Sequence, residues 1–508
     1  MSGEDDRIER ALQASSHEQF DRRVESQAAE LADSFGTGAF DNPTFGIGIE
    51  LELYAVDDGG RLTEVPKSAF GGGCDKELGK HNAELHTDPN RLTEAGIEAQ
   101  TTQLRQRYER ANDAAGSGTT IVPNAMWSVP PKAGAKPYLS ATEDGRRWVI
   151  ASNMTPSVRY YAIDNAILDR AGGTVPVSVP GVDAEFPSIL VESLTSSIQP
   201  HLQIPDLESF PRYHTLAIRT LGPVLAVATN SPLLPVDLYD VEDPHRLLEE
   251  THHELRIPVF EQSVNEGWSA PKVRFPEDID EPETVLERLV EDLTCAPFLR
   301  EWIEDDDRGD SLGDRYWELN YKRGTYWRWA RAVVGGQPVA GGTERSIRIE
   351  YRPIPTQPTI RGNVGMQCLV AGLLRGLVVT DHPLAELEHE AAKESFYSAV
   401  ESGIDADLAW VTENGTRTTD SDVIFEELFD LTRRGLRERG VSEETIARYI
   451  GPIEHRWEAE TTPSVWKLDR VREGLDAGKS LSEAVREMQR EYVDRSGDEP
   501  PFSTWIGD

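Results

Sequence analysis

The sequence predicts an α+β fold built on a largely antiparallel sheet with flanking helices. Two segments, 45–56 and 345–352, alternate strictly between apolar and polar residues, which is the period of a half-buried strand. Longer segments between and after them carry apolar residues at helical spacing. Strands and helices follow one another without the regular strand–helix–strand rhythm of a parallel sheet, so a mixed antiparallel fold is favoured.

The remaining elements follow from apolar spacing and from helix breakers. Helical spacing predicts helices near 91–116, 158–171, 206–229, 281–305 and 360–380. Short apolar or alternating runs predict strands within 121–131 and 189–204. We expect Asp206 to cap the helix of 206–229, which ends at the Asn-Ser-Pro of 230–232.

We divide the chain into three parts. Residues 1–40 are expected to form a polar helical leader, and residues 41–383 an α+β core that carries the candidate site. Residues 384–508 are mostly helical. Because no Gly/Ser-rich linker separates this last part from the core, we assign it to the same domain.

The composition is strongly acidic. The 508 residues include 89 Asp and Glu against 52 Lys and Arg, a net charge of −37. A surface this negative repels phosphate backbones and anionic lipids, which excludes general nucleic-acid or membrane-surface binding. Only 10 residues are Lys. Scarce lysine with excess acid indicates adaptation to high salt, where surface self-repulsion is screened; the alternative is an ordinary acidic protein.

The chain is expected to be soluble and cytoplasmic. Cys74, Cys295 and Cys368 lie far apart and are odd in number, which argues against a disulfide framework and for a reducing interior. The N-terminus is polar and lacks the apolar core of a signal peptide. Arg219 and Arg375 interrupt the two most apolar runs, so we expect no membrane span.

Two carboxylates share one face of the first predicted strand. In the segment 45–56 (FGIGIELELYAV), Glu50 and Glu52 alternate with isoleucine and leucine. The period of two puts the carboxylates about 7 Å apart and leaves the opposite face to the core. Such a pair suits a hard divalent cation, which prefers oxygen ligands. The alternative is a solvated strand face in an acid-rich protein.

A third carboxylate and a histidine lie near other extended segments. Glu84, preceded by Glu77, belongs to a short extended segment that stops at Pro89. Gln199 and His201 alternate onto one face just before a predicted helix. These residues are candidate ligands; the alternatives are an ordinary acidic loop and a hydrogen-bonded structural histidine.

Arginines mark two late segments, 327–331 (WRWAR) and 345–352 (RSIRIEYR). In the second segment Arg348, Glu350 and Arg352 take one face of the predicted strand. Guanidinium groups bind phosphate or carboxylate bidentately, so this ladder is a candidate anion clamp. The alternative is a cross-strand network of ion pairs.

Together these groups predict an ATP-dependent ligase. Carboxylates for Mg²⁺ and arginines for phosphate and a substrate carboxylate are what such an enzyme needs to neutralise phosphoryl charge. The sequence contains no GxxxxGK[ST], no GxGxxG after a strand, no GxSxG and no HExxH, which argues against the common nucleotide-binding folds and hydrolases. The glycines of 71–73 are interpreted as a flexible turn.

The order of these motifs resembles the carboxylate–amine ligase branch of the glutamate–cysteine ligase family, relatives of glutamine synthetase. The similarity covers about residues 45–490 and rests on the segments 48–52 (GIELE), 84–87 (ELHT), 199–201 (QPH), 230–232 (NSP), 327–331, 350–352 (EYR) and 396–406. The resemblance implies a glutamine synthetase-like catalytic domain. It also implies that ATP phosphorylates the γ-carboxylate of glutamate and that an amine, by default cysteine, displaces the phosphate.

The resemblance also implies roles for individual residues. It assigns Mg²⁺ (or Mn²⁺) to five side chains: Glu50, Glu52, Glu84, His201 and Glu350. It assigns catalysis to Arg352, Arg331 and Glu50. It assigns substrate or ATP binding to Arg348, Arg352, Arg331, Gln199, Asn230 and Arg246. The implied partners are small molecules (glutamate, ATP and the amine), and a homo-oligomer is allowed.

Three departures from the family pattern bear on these roles. Gln199 stands where the family has its first histidine, which weakens or replaces a contact to metal or nucleotide. The segment 233–246 lacks the family's usual Gly/Ser-rich continuation, and only Arg246 aligns within it. The acidic insert of 272–315 has no counterpart. These departures leave the amine open. They also leave two alternatives of the same fold, a phosphotransferase and a non-catalytic binding protein.

Overall fold

The computed structural model describes residues 2–302, 311–498 and 500–507. Within these ranges the chain forms an eight-stranded sheet, two small hairpins and a series of helices. The strands are β1 (Gly46–Asp57), β2 (Asp75–Lys76), β3 (Asn82–His86), β4 (Asn90–Arg91), β5 (Thr119–Val122), β6 (Val175–Val179), β7 (Val182–Phe186), β8 (Ile198–Ile204), β9 (Ala330–Val334), β10 (Ile347–Tyr351), β11 (Trp410–Val411) and β12 (Arg417–Thr418).

The helices flank the sheet and make up most of the C-terminal part. Those before residue 300 are α1 (Ser2–Leu12), α2 (Ala14–Ala32), α3 (Lys67–Gly72), α4 (Glu94–Ala115), α5 (Ala135–Ser140), α6 (Val158–Ala171), α7 (Phe210–Ala226), α8 (Pro244–Glu250), α9 (Arg256–Asn265) and α10 (Thr284–Glu291). Those after it are α11 (Leu312–Arg315), α12 (Trp317–Arg323), α13 (Ile360–Val379), α14 (His389–Ser402), α15 (Ser421–Glu438), α16 (Glu443–Glu458), α17 (Pro463–Asp476) and α18 (Leu481–Arg495).

The sheet is antiparallel, which confirms the predicted fold class. Its strand order is β2-β3-β1-β8-β10-β9, with β4 and β5 also pairing with β1. Each of these pairs is antiparallel. Helices α7 and α13 pack against one face of the central strands and leave the opposite face to the polar residues.

Strand β1 follows the predicted alternation. Ile47, Ile49, Leu51 and Leu53 are buried, and the intervening carboxylates are half-buried on the other face. Burying each of these aliphatic side chains contributes about 1.5–3 kcal/mol, which fixes the strand's orientation because a shift of one residue would expose all of them. The glutamates are therefore held on the open face.

Several helices end where the sequence predicts, and others differ. The helix of 91–116 is α4, whose cap Thr93 accepts a hydrogen bond from Gly96 N. The strand predicted within 189–204 is confined to β8, because Ser188 caps a 3-10 helix over Ile189–Leu194. Asp206 accepts a hydrogen bond from Ser209 N, but α7 begins only at Phe210. Of the helix predicted over 281–305, α10 covers eight residues, and 303–310 lie outside the described ranges.

The N-terminal segment forms two helices where one was predicted, with the break at Gln13. Ile8, Phe20 and Val24 are completely buried. Helix α1 packs on α6, and α2 packs on α10 and α12. The segment is thus packed into the body of the fold, and the three-part division of the chain stays a prediction.

One described helix, α13, is long and apolar enough to cross a membrane, with 78% of its most apolar window buried inside the protein. Arg375 lies within this helix as the sequence shows, but it does not keep the apolar run below the length of a span, so that expectation was wrong. Helix α13 packs against the sheet and against α15 and α16, as a core helix does.

Candidate active site

The open face of the sheet gathers the predicted chemical residues through strand register. Glu52 of β1 lies directly opposite Glu84 of β3. His201 of β8 lies opposite Glu350 of β10, which in turn lies opposite Arg331 of β9. Antiparallel pairing therefore brings together side chains that are separated by up to about 300 positions in the chain.

One half of this face is acidic. Glu52 accepts hydrogen bonds from Ser197 N at 2.6 Å, Ser197 Oγ at 3.1 Å and Gln199 Nε2 at 3.2 Å. Burial raises the pKa of Glu52. Burial and the neighbouring charge of Glu52 raise the pKa of Glu77 to about 7. Burial, followed by the charge of Glu77, raises the pKa of Glu84 well above its usual range. These carboxylates repel one another in a poorly solvated place.

A histidine joins Glu50 to Arg348. Arg348 Nε donates to His201 Nδ1 at 3.1 Å, so the imidazole carries its proton on Nε2. Nε2 lies 3.2 Å from Glu50 Oε1. Burial raises the pKa of Glu50, but the interaction with His201 and the charge of Arg348 outweigh it, and the net direction is downward.

The other half of the face is basic and is organised by Glu350. Arg331 approaches this carboxylate with Nε at 2.9 Å from Oε1 and donates from Nη2 to Oε2 at 3.1 Å. Arg352 Nη1 donates to the same Oε1. Burial raises the pKa of Glu350, but Arg331 and Arg352 outweigh it and hold the pKa well below its usual range. Glu350 is therefore an anion that holds two guanidinium groups in place.

Gln199 connects the two halves. Its amide nitrogen donates to Glu52 Oε1 at 3.2 Å, and its amide oxygen accepts from Arg352 Nη1 at 2.9 Å. A neutral amide can do both at once because it carries a donor and an acceptor on one rigid plane. The residue that departs from the family pattern thus has a defined place between an acid and a base.

A cleft of about 210 Å³ opens beside Glu50 and His201. Gly46 and Gly48 form part of its wall, and Arg348 lines it. A Cβ at Gly46 would lie 2.5 Å from Val339 Cγ2, so the strand needs glycine there for close approach. The cleft is large enough for part of a small-molecule substrate.

Two predicted residues lie outside this constellation. Asn230 is completely buried, and its Nδ2 donates to Thr356 O at 2.6 Å and Tyr492 Oη at 2.9 Å. Arg246 is exposed on α8, where its Nε donates to Glu250 Oε1 at 2.7 Å. Among the contacts described for the chain, none joins either residue to the sheet face, so binding roles for them stay a prediction without structural support.

Two charged residues lie at the site although the sequence analysis did not predict them. Glu192, in the 3-10 helix before β8, has a pKa of about 8, raised by burial and by Glu52 and Glu77. Arg323, the last residue of α12, lies among the charges of Arg348, Arg331 and Glu350. The one local signal is the Lys-Arg pair that precedes the Trp-rich segment.

The donor set fits a hard divalent cation, although no preassembled site is present. Within the described ranges, no three His, Cys, Asp or Glu side chains are grouped so that they could hold a metal ion. Glu77 and Glu84 are nevertheless buried carboxylates whose mutual repulsion a cation would relieve. The residues present therefore suit Mg²⁺ chemically, and binding would require the side chains to close around the ion.

Comparisons with known proteins agree with this architecture. The family model of glutamate–cysteine ligase family 2 matches residues 46–499. The glutamate–cysteine ligase of Francisella tularensis, solved in complex with AMP, superposes with a TM-score of 0.52 at 14% identity, covering 90% of this chain and 89% of that one. A bifunctional glutathione synthetase from Pasteurella multocida gives 0.51 at 13% identity, covering 92% of this chain and 54% of that one. No curated protein matches significantly.

The two solved structures share the fold at low identity, and the family model spans nearly the whole chain, from the first residue of β1 to beyond α18. The family resemblance predicted from the motifs of the sheet strands is therefore confirmed. The chain belongs to glutamate–cysteine ligase family 2 and so to the ATP-dependent ligases that join a carboxylate to an amine.

Proposed function

We propose that the protein is an ATP- and Mg²⁺-dependent ligase that joins the γ-carboxyl group of glutamate, or of a similar acid, to an amine through an acyl phosphate. Cysteine is the default amine. The observation that carries the proposal is the division of one sheet face into an acidic half around Glu52 and Glu84 and a basic half around Glu350. A magnesium–polyphosphate complex carries the complementary charges, because its cation suits the acidic half and its phosphate groups suit the basic half.

Glu50, Glu52 and Glu84 would hold the metal. His201 and Glu350, which the family resemblance also assigns to it, would have to exchange their present contacts with Arg348 and with Arg331 and Arg352 for the metal. A bound Mg²⁺ would act as a Lewis acid and offset the charge that develops on the transferred phosphoryl group. On the acidic side, hydrogen bonds from Ser197 and Gln199 hold the Glu52 carboxylate in position before a ligand binds.

The arginines of the basic half serve the anionic groups of the substrates. Arg331 and Arg352 are held on Glu350, and Arg331 Nη1 also donates to Arg323 O and Tyr326 O, so both guanidinium groups are fixed in orientation. Arg348 lines the cleft and binds phosphate or the substrate carboxylate there. Preorganised guanidinium groups stabilise a phosphoryl group in transfer without reorganisation at the moment of reaction.

In the reaction, a γ-carboxylate oxygen attacks the terminal phosphorus of ATP and ADP leaves. The amine nitrogen then attacks the acyl carbon, phosphate leaves and the amine loses a proton. Both steps transfer a group between substrates that must lie within about 3.5 Å of each other. The proposal includes adaptation to high salt, which the acidic composition supports, and a cytoplasmic location, which the three widely spaced cysteines support.

The test is ADP release in molar KCl with Mg·ATP, using glutamate alone, cysteine alone and both, with the product identified by mass. We expect release that needs both and yields their amide. Release that needs glutamate but ignores cysteine would keep the ATP chemistry and replace the amine. A stable phosphorylated product from one acceptor would identify a phosphotransferase. No turnover by folded protein would indicate a non-catalytic member.

A further inference from the structure

A cavity of about 60 Å³ lies between the edge strand of the sheet and the described part of the acidic insert of 272–315. Ala330 and Ala332 of β9 line it from the sheet. Val285, Leu286 and Leu289 of α10 line it from the insert. Helices α2, α7 and α12 contribute to the same wall. The insert, whose sequence indicates no role, therefore closes a cavity over the edge of the sheet.

The wall of this cavity is mainly aliphatic. Besides the residues of α10, it includes Leu31 of α2, Ile279 of the insert and Leu319 of α12, all of which are buried. The side chains of Ala330 and Ala332 end at a single methyl group, so β9 leaves the space beside it open. Buried cavities with aliphatic walls stay dry and bind small apolar molecules. A ligand of this cavity therefore needs a hydrocarbon body.

His214 of α7 adds one polar group to the aliphatic wall. The residue is 4% exposed, and its Nδ1 is buried without a hydrogen-bond partner among the described residues. Burial lowers the pKa of His214 to about 4, although the charges of Asp278 and Glu277 oppose the shift. The imidazole is therefore neutral at neutral pH, and a buried nitrogen of this kind calls for a hydrogen bond. A hydroxyl group suits either tautomer, because it both donates and accepts.

The four charged side chains that also line the cavity have opposite charges within the protein. The pairs are Arg331 with Glu350 at 2.9 Å, Arg288 with Glu291 at 3.5 Å and Glu277 with Arg274 at 2.7 Å, and Arg323 has Glu350 and Glu50 in its surroundings. No charge in the wall is thus left for a ligand to neutralise. A charged ligand would lose its hydration without compensation, so the cavity favours an uncharged one.

We propose that this cavity binds a short, uncharged aliphatic molecule that carries one hydroxyl group, with the hydroxyl on His214 Nδ1 and the carbon chain against α10. The volume of about 60 Å³ is smaller than the roughly 150 Å³ of a cavity that holds benzene, which favours a short chain over a ring. The site lies apart from the cleft beside Glu50 and does not depend on the proposed function.

The test uses 1-propanol as the probe and 1-chloropropane as the probe of equal chain length without a hydroxyl group. Binding is followed in the full-length protein by NMR of ¹³C-labelled isoleucine methyl groups. The methyl group of Ile279 reports on the cavity, and that of Ile446, buried in α16, is the internal control. The variants are His214→Leu, His214→Gln and Ala332→Leu. Ala477→Leu, an exposed change at the end of α17, is the matched control for the last of these.

We expect 1-propanol to shift the Ile279 signal saturably in the wild type and to leave the Ile446 signal unchanged. His214→Leu should weaken the binding of 1-propanol by about three- to tenfold, because the hydrogen bond is lost, and should not weaken that of 1-chloropropane. His214→Gln should keep most of the affinity for 1-propanol, since an amide also donates and accepts. Ala332→Leu should abolish the binding of both probes by filling the cavity, whereas Ala477→Leu should bind both normally.

Three results would overturn the proposal: no saturable shift of Ile279 in the wild type, undiminished binding of 1-propanol by His214→Leu, or undiminished binding by Ala332→Leu. Melting temperatures show whether each variant is folded. If His214→Leu melts below the wild type, the comparison with His214→Gln decides, and only a higher affinity of His214→Gln for 1-propanol upholds the role of His214. Because neither probe involves ATP or an amine, the result is independent of whether the protein is a ligase.

Discussion

Glu52 and Glu84 face each other as direct cross-strand partners of β1 and β3. Like charges in directly opposite positions destabilise a sheet, and here burial increases the effect. Two carboxylates in this position are unfavourable for the fold by themselves, and a bound cation is the ligand that would make them favourable.

We therefore expect Glu84→Gln to raise the melting temperature of the metal-free protein and to remove the stabilisation that Mg²⁺ gives the wild type. Activity should fall by orders of magnitude in the same variant. Thermal melts with and without Mg²⁺, beside a turnover assay, measure all three effects. Glu109→Gln, an exposed substitution on α4, is the control. A metal-free melting temperature below that of the wild type would contradict the account.

Glu50→Gln and Arg352→Ala should each lower turnover by orders of magnitude and leave the protein folded. Glu50 faces His201, and Arg352 is shared between Glu350 and Gln199. Removing one charge from such a preorganised site costs transition-state stabilisation of about 3–4 kcal/mol. Initial rates in saturating Mg·ATP, with circular dichroism as the folding control, provide the measurement. Near-wild-type rates in both variants would show that the reaction takes place elsewhere.

Gln199→Leu should uncouple the acidic half of the site from the basic half. The change leaves Glu52 Oε1 and Arg352 Nη1 each without the amide that contacts them now. An unsatisfied buried polar group costs about 1–3 kcal/mol, so both the free energy of unfolding and kcat/KM should fall. Denaturant titration and steady-state kinetics test this, with the exposed Gln106→Leu as the matched change. If Gln199→Leu leaves both the free energy of unfolding and kcat/KM unchanged, the hydrogen bonds of Gln199 do not couple the two halves.

Acid should destabilise the fold through His81. His81 Nε2 lies 2.9 Å from Ser193 O and Nδ1 lies 3.1 Å from Tyr138 Oη, so the neutral ring satisfies both partners. Burial lowers its pKa from the ordinary 6.5 to about 4. Because the folded state disfavours the protonated ring, this contribution is complete above the unfolded pKa and is lost as the pH falls from there towards the folded one.

For His81 alone this amounts to about 2 kcal/mol between about pH 7.5 and about pH 5. Urea titrations of the wild type and of His81→Gln at the two pH values measure the difference. His245→Gln, an exposed change on α8, is the matched control. Equal pH dependence in the wild type and His81→Gln would refute the assignment.

Dilute buffer should also destabilise the protein. A net charge of −37 repels itself within the compact state, and molar salt reduces the Debye length to about 3 Å. Melting temperatures in dilute buffer and in molar KCl should therefore differ by several degrees, with the higher value in salt. Sodium chloride at matched ionic strength separates general screening from a specific potassium effect. Identical melting temperatures would contradict the interpretation of the composition as a salt adaptation.

The strands that carry the site could be predicted because their information is local. An alternation of period two fixes both the strand and the face of Glu50, Glu52, Arg348 and Glu350, whatever the rest of the chain does. Register between strands is different, since the pairing of Glu52 with Glu84 depends on tertiary packing. That pairing became visible only in the structure.

Residues that reach the site from irregular or short elements escaped prediction for the same reason. Glu192 lies in a 3-10 helix within a segment that was predicted to be a strand, and Arg323 is the last residue of a helix of seven residues. Asn230 and Arg246 are the opposite case, because the family resemblance gives them binding roles while the structure places them away from the sheet face, so those roles stay a prediction. A motif identifies a residue type at a position, but packing decides where its side chain lies.

The N-terminal helices have a consequence for the chemistry. Arg23 and Gln27 of α2 donate to Glu318 at 2.7 Å each, and Gln27 Oε1 accepts from Leu319 N at 2.9 Å. Glu318 and Leu319 belong to the short helix that ends in Arg323. Helix α2, which the sequence presents as part of a leader, therefore holds in place the short helix that carries Arg323 to the charges of Arg331 and Arg348, so the order of the N-terminal segment and the charge distribution of the basic half depend on each other.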